Sequence, residues 1–288
     1  MNRFYVENIA ESDKAVVITG PDVNHIANVL RLAVGDEIMV SDGSSRDYLC
    51  RIASIDTKTD HEVVADIIDM NDSNAELPAE IYLFQGVPKG DKLDLIIQKT
   101  VELGVHKIIP VMMERTIVKL DDKKMSKRRE RYQGIAEAAA KQSGRGIIPE
   151  VSDYMTFKQA AEMAKAEMDF VLMPYESAEG MEYSRKVVDE IVGEIISAGQ
   201  GQADNAEGQA DNAEGQAGNA EGQAGNATSG EEKKKIGIFI GPEGGFAASE
   251  VELMESIGGQ IISLGHRILR TETAGMATLA ILSYMMEM

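Results

Sequence analysis

Two segments near the C-terminal end of the sequence carry the residue types best suited to chemistry. The first is a glycine loop, GPEGG at residues 241–245, which follows an apolar run. The second, LGHRILRTETA at residues 264–274, places Arg267 and Arg270 just before a Thr-Glu-Thr sequence that opens a helical pattern. Each segment joins a strand-like run to a helix-like run. Such loops lie at the carboxyl ends of parallel strands, where open α/β sheets bind ligands.

The glycine loop is typical of a backbone that approaches a ligand closely, because glycine lacks a Cβ and adopts positive φ. It is not a P-loop, since no Lys-Ser or Lys-Thr follows the glycines. The G-x-G-x-x-G spacing of dinucleotide-binding folds is absent from the sequence as well. The alternative is a tight strand-to-helix turn that leaves Glu243 at the surface.

The second segment also has a simpler interpretation as a helix start. Thr271 would then be the N-cap, and Glu272 would be favourably placed against the helix dipole. That interpretation does not account for Arg267 and Arg270, because positive charge is unfavourable at a helix N-terminus. Arginines at this position indicate contact with an anion, a carboxylate or a polarised carbonyl.

The composition and the charge of the chain disfavour several classes of protein. The chain has 288 residues and a net charge of −19, which at first argues against nucleic-acid binding, because proteins that bind nucleic acid usually carry basic faces. Basic residues nevertheless concentrate between positions 107 and 145, where they fit either a solvated helix face or a phosphate-contacting patch. We expect no membrane span, no signal peptide and no metal site. The single cysteine, Cys50, is expected to be a core thiol in a reducing cytoplasm.

Two patterns of hydrophobic residues divide the chain. Residues 1–72 show short strand-like runs and one helical stretch at 22–32, which predicts a small β-barrel. Residues 78–288 alternate strands and helices, which predicts a mainly parallel sheet covered on both faces. In this second part, strands are expected at 81–85, 107–111, 170–173, 237–240 and 260–264, and helices at 91–103, 126–142, 157–166, 180–196, 249–257 and 271–286. Ser249 and Glu252 have the spacing of a capping box for the helix at 249–257.

Residues 199–232 form a seven-residue repeat, GQADNAE followed by near copies. No large apolar residue occurs in the repeat, so it cannot form the seam of a coiled coil. Small and acidic residues do not offset the entropy of ordering a chain. We therefore expect a disordered low-complexity insertion at about 199–232 within the second domain.

The two C-terminal segments together resemble the signature of the 16S ribosomal RNA (uridine-N3) methyltransferase family of the SPOUT superfamily. Residues 85–104 resemble the first strand-loop-helix of that family, and residues 24–36 resemble its N-terminal PUA-like domain. The resemblance covers nearly the whole chain except 199–232. It implies an N-terminal PUA-like β-barrel at 1–72 and a SPOUT-type α/β domain at 78–288 with a C-terminal trefoil knot. It also implies S-adenosyl-L-methionine as the methyl donor and a homodimer formed through the knotted domain.

The resemblance further implies roles for individual residues. Arg270, with Arg267, would stabilise negative charge on the uridine oxygens or a flanking phosphate. Glu272 is either the base that accepts the N3 proton or an ion-pair partner of an arginine. Three loops would hold the methyl donor, at the positions Leu172, Pro174, Ile240, Gly241, Pro242, Glu243, Gly244, Gly245, Leu264, Gly265, Ile268, Leu269, Thr273 and Ala274.

The implied partner is 16S ribosomal RNA or the small ribosomal subunit. Candidate RNA contacts, each of which is equally compatible with an ordinary surface position, are His25, Arg31, Arg46, Lys89, Arg115, Lys141 and Arg145. Two other functions stay open at this point. One is a SPOUT methyltransferase that acts on another RNA position, and the other is a non-catalytic RNA-binding factor for ribosome assembly.

Overall fold

The computed structural model describes residues 1–6, 8–10, 12–43, 46–72, 75–118, 122–178, 180–210 and 233–287. The chain divides into two compact units, each built from several segments. The first consists of Met1–Glu76, Ile97–Gly104 and Asp122–Val151, and the second consists of Leu77–Ile96, Val105–Asp121 and Ser152–Met288. The predicted domains, 1–72 and 78–288, are each continuous in sequence, whereas the two compact units are not. The domain bounds therefore stay a prediction. Most of the repeat segment, residues 211–232, lies outside the described residues.

The first unit is built on a five-stranded half-barrel with the strand order β1-β3-β4-β5-β2, in which β1 and β3 are parallel and the other pairs antiparallel. Its strands are β1 (Arg3–Tyr5), β2 (Ala15–Thr19), β3 (Glu37–Ser41), β4 (Arg46–Asp56) and β5 (Glu62–Asp72). The four longer strands correspond to the strand-like runs of the sequence, whereas β1 is too short to give a periodic signal. In β4, alternate residues Tyr48, Cys50 and Ile52 are buried, because successive side chains of a strand point to opposite faces.

Cys50 is the core thiol that the sequence predicts. It has no exposed surface, and burial raises the pKa of its thiol to about 11, with the negative charge of Asp66 as a smaller cause. A thiol with so high a pKa is almost entirely protonated at neutral pH and is a poor nucleophile.

The helix predicted at 22–32 is shorter and irregular. A short helix, α1 (Pro21–Asn24), runs directly into a π-helical turn at His25–Val29. The N–H of Leu30 donates to the carbonyl of His25 at 2.8 Å, which is the i to i−5 bond of a π-helix. Arg31 then adopts φ 55° and ends the helical stretch. Val23 of α1 and Ile26 of the π-helical turn are fully buried, so both side chains lie in the core of this unit.

The first unit also contains α3 (Asp122–Ser143) and β8 (Glu150–Val151). Arg145, just after α3, is a predicted RNA contact that the structure places in the interior, where it is only 3% exposed. Its guanidinium donates to the carboxylate of Glu76 at 2.9 Å and to the carbonyl oxygen of Val101 at 2.8 Å. The RNA-contact prediction for Arg145 is therefore corrected, because a local run of basic residues does not reveal a carboxylate that lies 69 residues away.

The second unit is built on a parallel sheet with the strand order β12-β10-β11-β6-β7, and β9 (Met155–Thr156) also pairs with β7. Every register recorded between these strands is parallel, as predicted. Phe84 of β6 and Phe239 of β11 stack in the core with their ring centroids 4.3 Å apart. The strands are β6 (Glu80–Gly86), β7 (Lys107–Met112), β10 (Phe170–Pro174), β11 (Lys235–Ile240) and β12 (Gln260–Ile262).

The helices agree with the predicted positions, with two corrections. The helices are α2 (Lys92–Glu102), α4 (Phe157–Glu167), α5 (Met181–Ala210), α6 (Ala248–Ser256) and α7 (Thr271–Met286). The first residues of α2 belong to the second unit and its last residues to the first. α5 continues past the predicted end at 196 into the repeat. Ala, Gln and Glu have high helix propensity, and extending a helix is easier than nucleating one. No helix among the described residues is long and apolar enough to span a membrane.

The second correction concerns the start of α6. The predicted capping box of Ser249 and Glu252 does not form, because the helix begins one residue earlier with Ala247 as the N-cap. The carboxylate of Glu250, which is buried, accepts the N–H of Ala247 at 2.8 Å and the N–H of Glu114 at 2.8 Å. Glu250 therefore caps the start of this helix and also binds the chain after β7.

The buried Arg145–Glu76 pair leads to a stability prediction. Replacing Arg145 by Ala leaves the Glu76 carboxylate buried without its guanidinium partner, which costs about 3–5 kcal/mol of the free energy of unfolding. Urea denaturation followed by circular dichroism measures this loss. The matched control is Lys158→Ala, which removes a well-exposed ion pair with Glu162 and should change stability little. Equal stabilities of the two variants would contradict the structural role given to Arg145.

Candidate functional site

The carboxyl ends of β10, β11 and β12 open onto one cleft with about 640 Å³ of empty space, part of it open to solvent. The chain segments that line it follow these three strands and include the first turn of α7. Most of the predicted cofactor positions are among the lining residues: Pro174, Ile240, Gly241, Pro242, Gly245, Leu264, Gly265, Ile268, Leu269 and Ala274. The two segments singled out in the sequence therefore meet in one pocket.

Four predicted cofactor positions do not line this cleft. Leu172 is fully buried within β10, and Thr273 is exposed on α7. Glu243 and Gly244 make contacts outside the lining, with Lys92 and Arg115. Within a loop, sequence alone does not show which residues turn toward the pocket.

The pocket also includes residues that the sequence prediction missed: Tyr175, Glu176, Phe246, Ser263 and Thr271. Most of them are direct neighbours of predicted positions. Extending each predicted loop by one or two residues would have included these. Among the described residues that line the cleft, Glu176 is the one carboxylate.

The glycine loop is a tight turn packed against the end of β6. The N–H of Gly245 donates to the carbonyl of Pro242 at 2.9 Å, and Gly245 adopts φ 67°, which glycine tolerates best. At Gly86, a Cβ atom would lie 2.6 Å from the backbone nitrogen of Pro242. Only glycine at position 86 therefore allows the loop to approach β6 this closely.

Thr271 connects the glycine loop to the start of α7. Its hydroxyl donates to the carbonyl of Gly241 at 2.6 Å and accepts the side-chain amide N–H of Gln85 at 2.9 Å. Thr271 and Gln85 are both buried. The N-cap of α7 is Arg270 rather than Thr271, so the hydroxyl is engaged by the loop and not by the helix.

A group of charged side chains lies beside the glycine loop. The Lys92 ammonium, at the first residue of α2, donates to Glu243 at 2.8 Å and lies 3.7 Å from Glu272. The hydrogen bond to Glu243 raises the pKa of Lys92. Partial burial raises the pKa of Glu243, but the bonds from Lys92 and from the backbone N–H of Lys89 outweigh it, so that this pKa is lowered. Both groups are therefore charged at neutral pH.

The two candidate catalytic arginines remain unpaired. Arg267 lines the cleft and Arg270 is the N-cap of α7, and both are exposed. Neither side chain makes a hydrogen bond or ion pair with another described residue, although Arg270 lies close enough to Lys92 to repel it. Glu272 has a lysine as its ion-pair partner rather than the predicted arginine. Two unpaired guanidinium groups at the pocket rim are available to an anionic ligand.

The candidate RNA contacts differ in their availability. His25, Arg31 and Lys89 are exposed. Arg46 is half-buried, and Arg115 is exposed but donates to the carbonyl of Gly244 at 2.9 Å. Lys141 pairs with Asp22 at 2.9 Å, and Arg145 is buried as described above. Among the described residues, no group of His, Cys, Asp or Glu side chains is arranged to hold a metal ion.

The fold and the pocket match a family of known proteins. The sequence model of the RNA methyltransferase domain matches residues 75–197 and 207–283, and that of the RNA methyltransferase PUA domain matches residues 18–60. The first match alone covers more than half of the chain. The chain therefore belongs to the RNA methyltransferase family, as the resemblance of its C-terminal segments implies.

Individual relatives resemble the chain over its full length. The ribosomal RNA small subunit methyltransferase E of Bacillus subtilis (strain 168) is 33% identical, over 100% of this chain and 98% of the relative. A crystal structure of a ribosomal RNA small subunit methyltransferase E from Neisseria gonorrhoeae bound to S-adenosyl methionine is 27% identical, with a TM-score of 0.70 over 99% of this chain and 97% of that one. A putative methyltransferase from Legionella pneumophila, in complex with the cofactor SAM, is 25% identical with a TM-score of 0.69, over 98% of this chain and 96% of that one.

Proposed function

We propose that this chain transfers a methyl group from S-adenosylmethionine to N3 of a uridine in the 16S ribosomal RNA of the small ribosomal subunit. The observation that carries the proposal is the single cleft in which the GPEGG loop and the LGHRILRTETA segment meet at the carboxyl ends of parallel strands. Support comes from the relatives, since full-length matches are named ribosomal RNA small subunit methyltransferase E and two similar structures hold the methyl donor.

The lining residues suit the methyl donor. Backbone at Gly241 and Gly265 offers polar groups without side-chain obstruction, and Ile240, Leu269 and Phe246 offer apolar surface. The carboxylate of Glu176 suits a ligand that carries positive charge on its sulfonium and ammonium groups. We place the donor against these loops, and we no longer assign a direct contact with it to Glu243, Gly244, Leu172 and Thr273.

The reaction requires the loss of a proton and the stabilisation of negative charge. When bound, S-adenosylmethionine supplies an electrophilic methyl group on its sulfonium sulfur. Uridine N3 attacks this carbon, the carbon–sulfur bond breaks, and the N3 proton leaves to a base or to water. As N3 loses its proton, negative charge spreads onto O2 and O4 of the uracil ring. The unpaired guanidinium groups of Arg270 and Arg267 are suited to stabilise this charge or to bind a flanking phosphate.

Glu272 is better suited to an electrostatic role than to that of the base. Its carboxylate lies beside the Lys92 ammonium, and Glu272 is not among the residues that line the cleft. A general base must reach the proton that it removes, directly or through one water. The proton acceptor is therefore assigned to no side chain of this chain.

The substrate and the assembly follow from the same proposal. The favoured RNA contacts are the exposed residues His25, Arg31, Lys89 and Arg115. A ribosomal RNA substrate further implies that the protein acts in the cytoplasm. A homodimer is proposed through the domain predicted to contain the trefoil knot. It is supported by the exposed apolar side chains of Ile281 and Tyr284 on α7, which are 43% and 68% exposed.

Mapping of methylated nucleosides tests the proposed reaction. Small-subunit RNA from a strain that lacks the gene should lack one N3-methyluridine, and adding the gene back should restore it. Mass spectrometry of nuclease fragments identifies the base and its position. Restoration of a different methylated nucleoside would indicate another RNA target. If no nucleoside changes although the protein binds ribosomal RNA, the chain would be a non-catalytic assembly factor.

The role of Arg270 is tested by replacing it with Ala. Loss of the guanidinium should lower methyl transfer at least about 100-fold, the usual effect of removing a group that stabilises transition-state charge. S-adenosylmethionine affinity by calorimetry and the unfolding temperature should stay unchanged. Arg51→Ala, at an exposed arginine that pairs with Glu37, is the matched control and should retain turnover. Normal turnover by Arg270→Ala would reject the assignment.

A further inference from the structure

Lys92 is a cation at a position where the helix itself disfavours one. It is the first residue of α2, and the N-terminal end of a helix carries partial positive charge. No sequence pattern singled it out. Its ammonium is compensated by two carboxylates that are distant in sequence: Glu243 of the glycine loop and Glu272 in the first turn of α7. Lys92 therefore lies between the two segments that form the pocket.

The two carboxylates are held to different degrees. Glu243 accepts a hydrogen bond from Lys92 at 2.8 Å and another from the backbone N–H of Lys89 at 3.1 Å. Its position would be partly retained without Lys92. Glu272 differs, because its Oε2 atom is buried and makes no hydrogen bond with any described residue, and its ion-pair partner is Lys92 at 3.7 Å. Without Lys92, the Glu272 carboxylate would have no ion-pair partner among the described residues and would attract another cation.

Arg270 is the cation best placed to take over. It precedes Glu272 by two residues, is exposed, and has no hydrogen-bond or ion-pair partner among the described residues. Within a helix, residues i and i+2 do not face each other. Arg270 is the N-cap, however, with extended backbone at φ −68° and ψ 156°, so its long side chain is not confined to the helix face.

We propose that Lys92 is a positioning residue that occupies the Glu272 carboxylate and thereby keeps the Arg270 guanidinium free for the RNA substrate. The inference rests on the proposed role of Arg270 in methyl transfer. Two effects act in the same direction. Lys92 neutralises the carboxylate that would otherwise attract Arg270, and its own positive charge repels the guanidinium toward solvent and the approaching anionic substrate.

The expected effect is moderate in size. An ion pair near the surface shifts the balance between paired and free guanidinium by up to about fivefold. Lys92→Met keeps much of the side-chain length but removes the charge. It should lower kcat/KM for small-subunit RNA by about fivefold. The affinity for S-adenosylmethionine should fall less than kcat/KM, because Lys92 does not line the cleft and Glu243 of the glycine loop keeps its hydrogen bond from the backbone N–H of Lys89. Lys92→Arg retains the charge and should retain most of the activity.

The decisive test is a double-mutant cycle with Glu272→Gln. Transfer of radiolabelled methyl to small-subunit RNA from a strain lacking the gene is measured for the starting protein, both single variants and the double variant. Lys92→Met should lower kcat/KM when Glu272 is present and should lower it clearly less when Gln stands at 272, since there is then no carboxylate to capture Arg270 and only the repulsion by the Lys92 charge is lost. A purely structural role for Lys92 would give the same loss in both backgrounds and would overturn the inference.

Two further variants separate this inference from the proposed function. Lys158→Met makes the same chemical change at an exposed ion pair on α4 and should leave kcat/KM unchanged. If Arg270→Ala is inactive while Lys92→Met is as active as the starting protein, the inference is wrong and the role of Arg270 stands. If Arg270→Ala is fully active, both assignments are wrong. In the Arg270→Ala background, any residual activity should be insensitive to Lys92→Met.

Discussion

The hydroxyl group of Thr271 is the contact on which the shape of the pocket depends. It joins three parts of the chain: the end of β6 through Gln85, the glycine loop through Gly241, and the first turn of α7, to which it belongs. Gln85 and Thr271 are buried, whereas Gly241 is partly exposed. Losing the hydroxyl would leave the Gln85 amide with its hydrogen bond to the carbonyl of Gly86 alone, and the buried N–H that loses its partner costs about 1–3 kcal/mol. The close approach of the loop to Gly86 depends on the same arrangement.

The charged residues around the Thr271 hydroxyl have different roles. Glu243 and Lys92 bind each other and fasten the glycine loop to the start of α2. Arg267 and Arg270 stay free at the rim, which is the arrangement expected for residues that meet an anionic substrate. In the proposed function, the same sheet edge provides a largely uncharged cleft for the methyl donor and a positively charged rim for RNA. Membership of the RNA methyltransferase family agrees with this division.

Much of the fold and part of the site could be predicted from local sequence. Patterns of apolar residues predicted the strands and the core position of Cys50. The glycine and arginine segments predicted the pocket, because their chemistry is concentrated within a few residues. Long charged side chains were less predictable. Arg145 and Lys141 looked like RNA contacts in a basic region, yet each pairs with a carboxylate that is remote in sequence, Glu76 or Asp22. Lys92 was missed for the same reason.

Two of the predicted helix bounds were wrong, the start of α6 and the end of α5. At the start of α6 the capping carboxylate is that of Glu250, which accepts the N–H of Ala247 and also the N–H of the remote Glu114. α5 extends into a repeat whose composition favours disorder when it is considered in isolation. The trefoil knot and the homodimer remain predictions from the resemblance.

The central claim is that the glycine loop and the segment before α7 form one methyl-donor pocket that Thr271 holds together. The most direct measurement is the calorimetric affinity for S-adenosylmethionine of Thr271→Val and Thr271→Ser. Valine has the same shape but no hydroxyl, so it should weaken binding about tenfold or more, while serine should preserve it. Equal affinity of the folded valine variant and the starting protein would contradict the account.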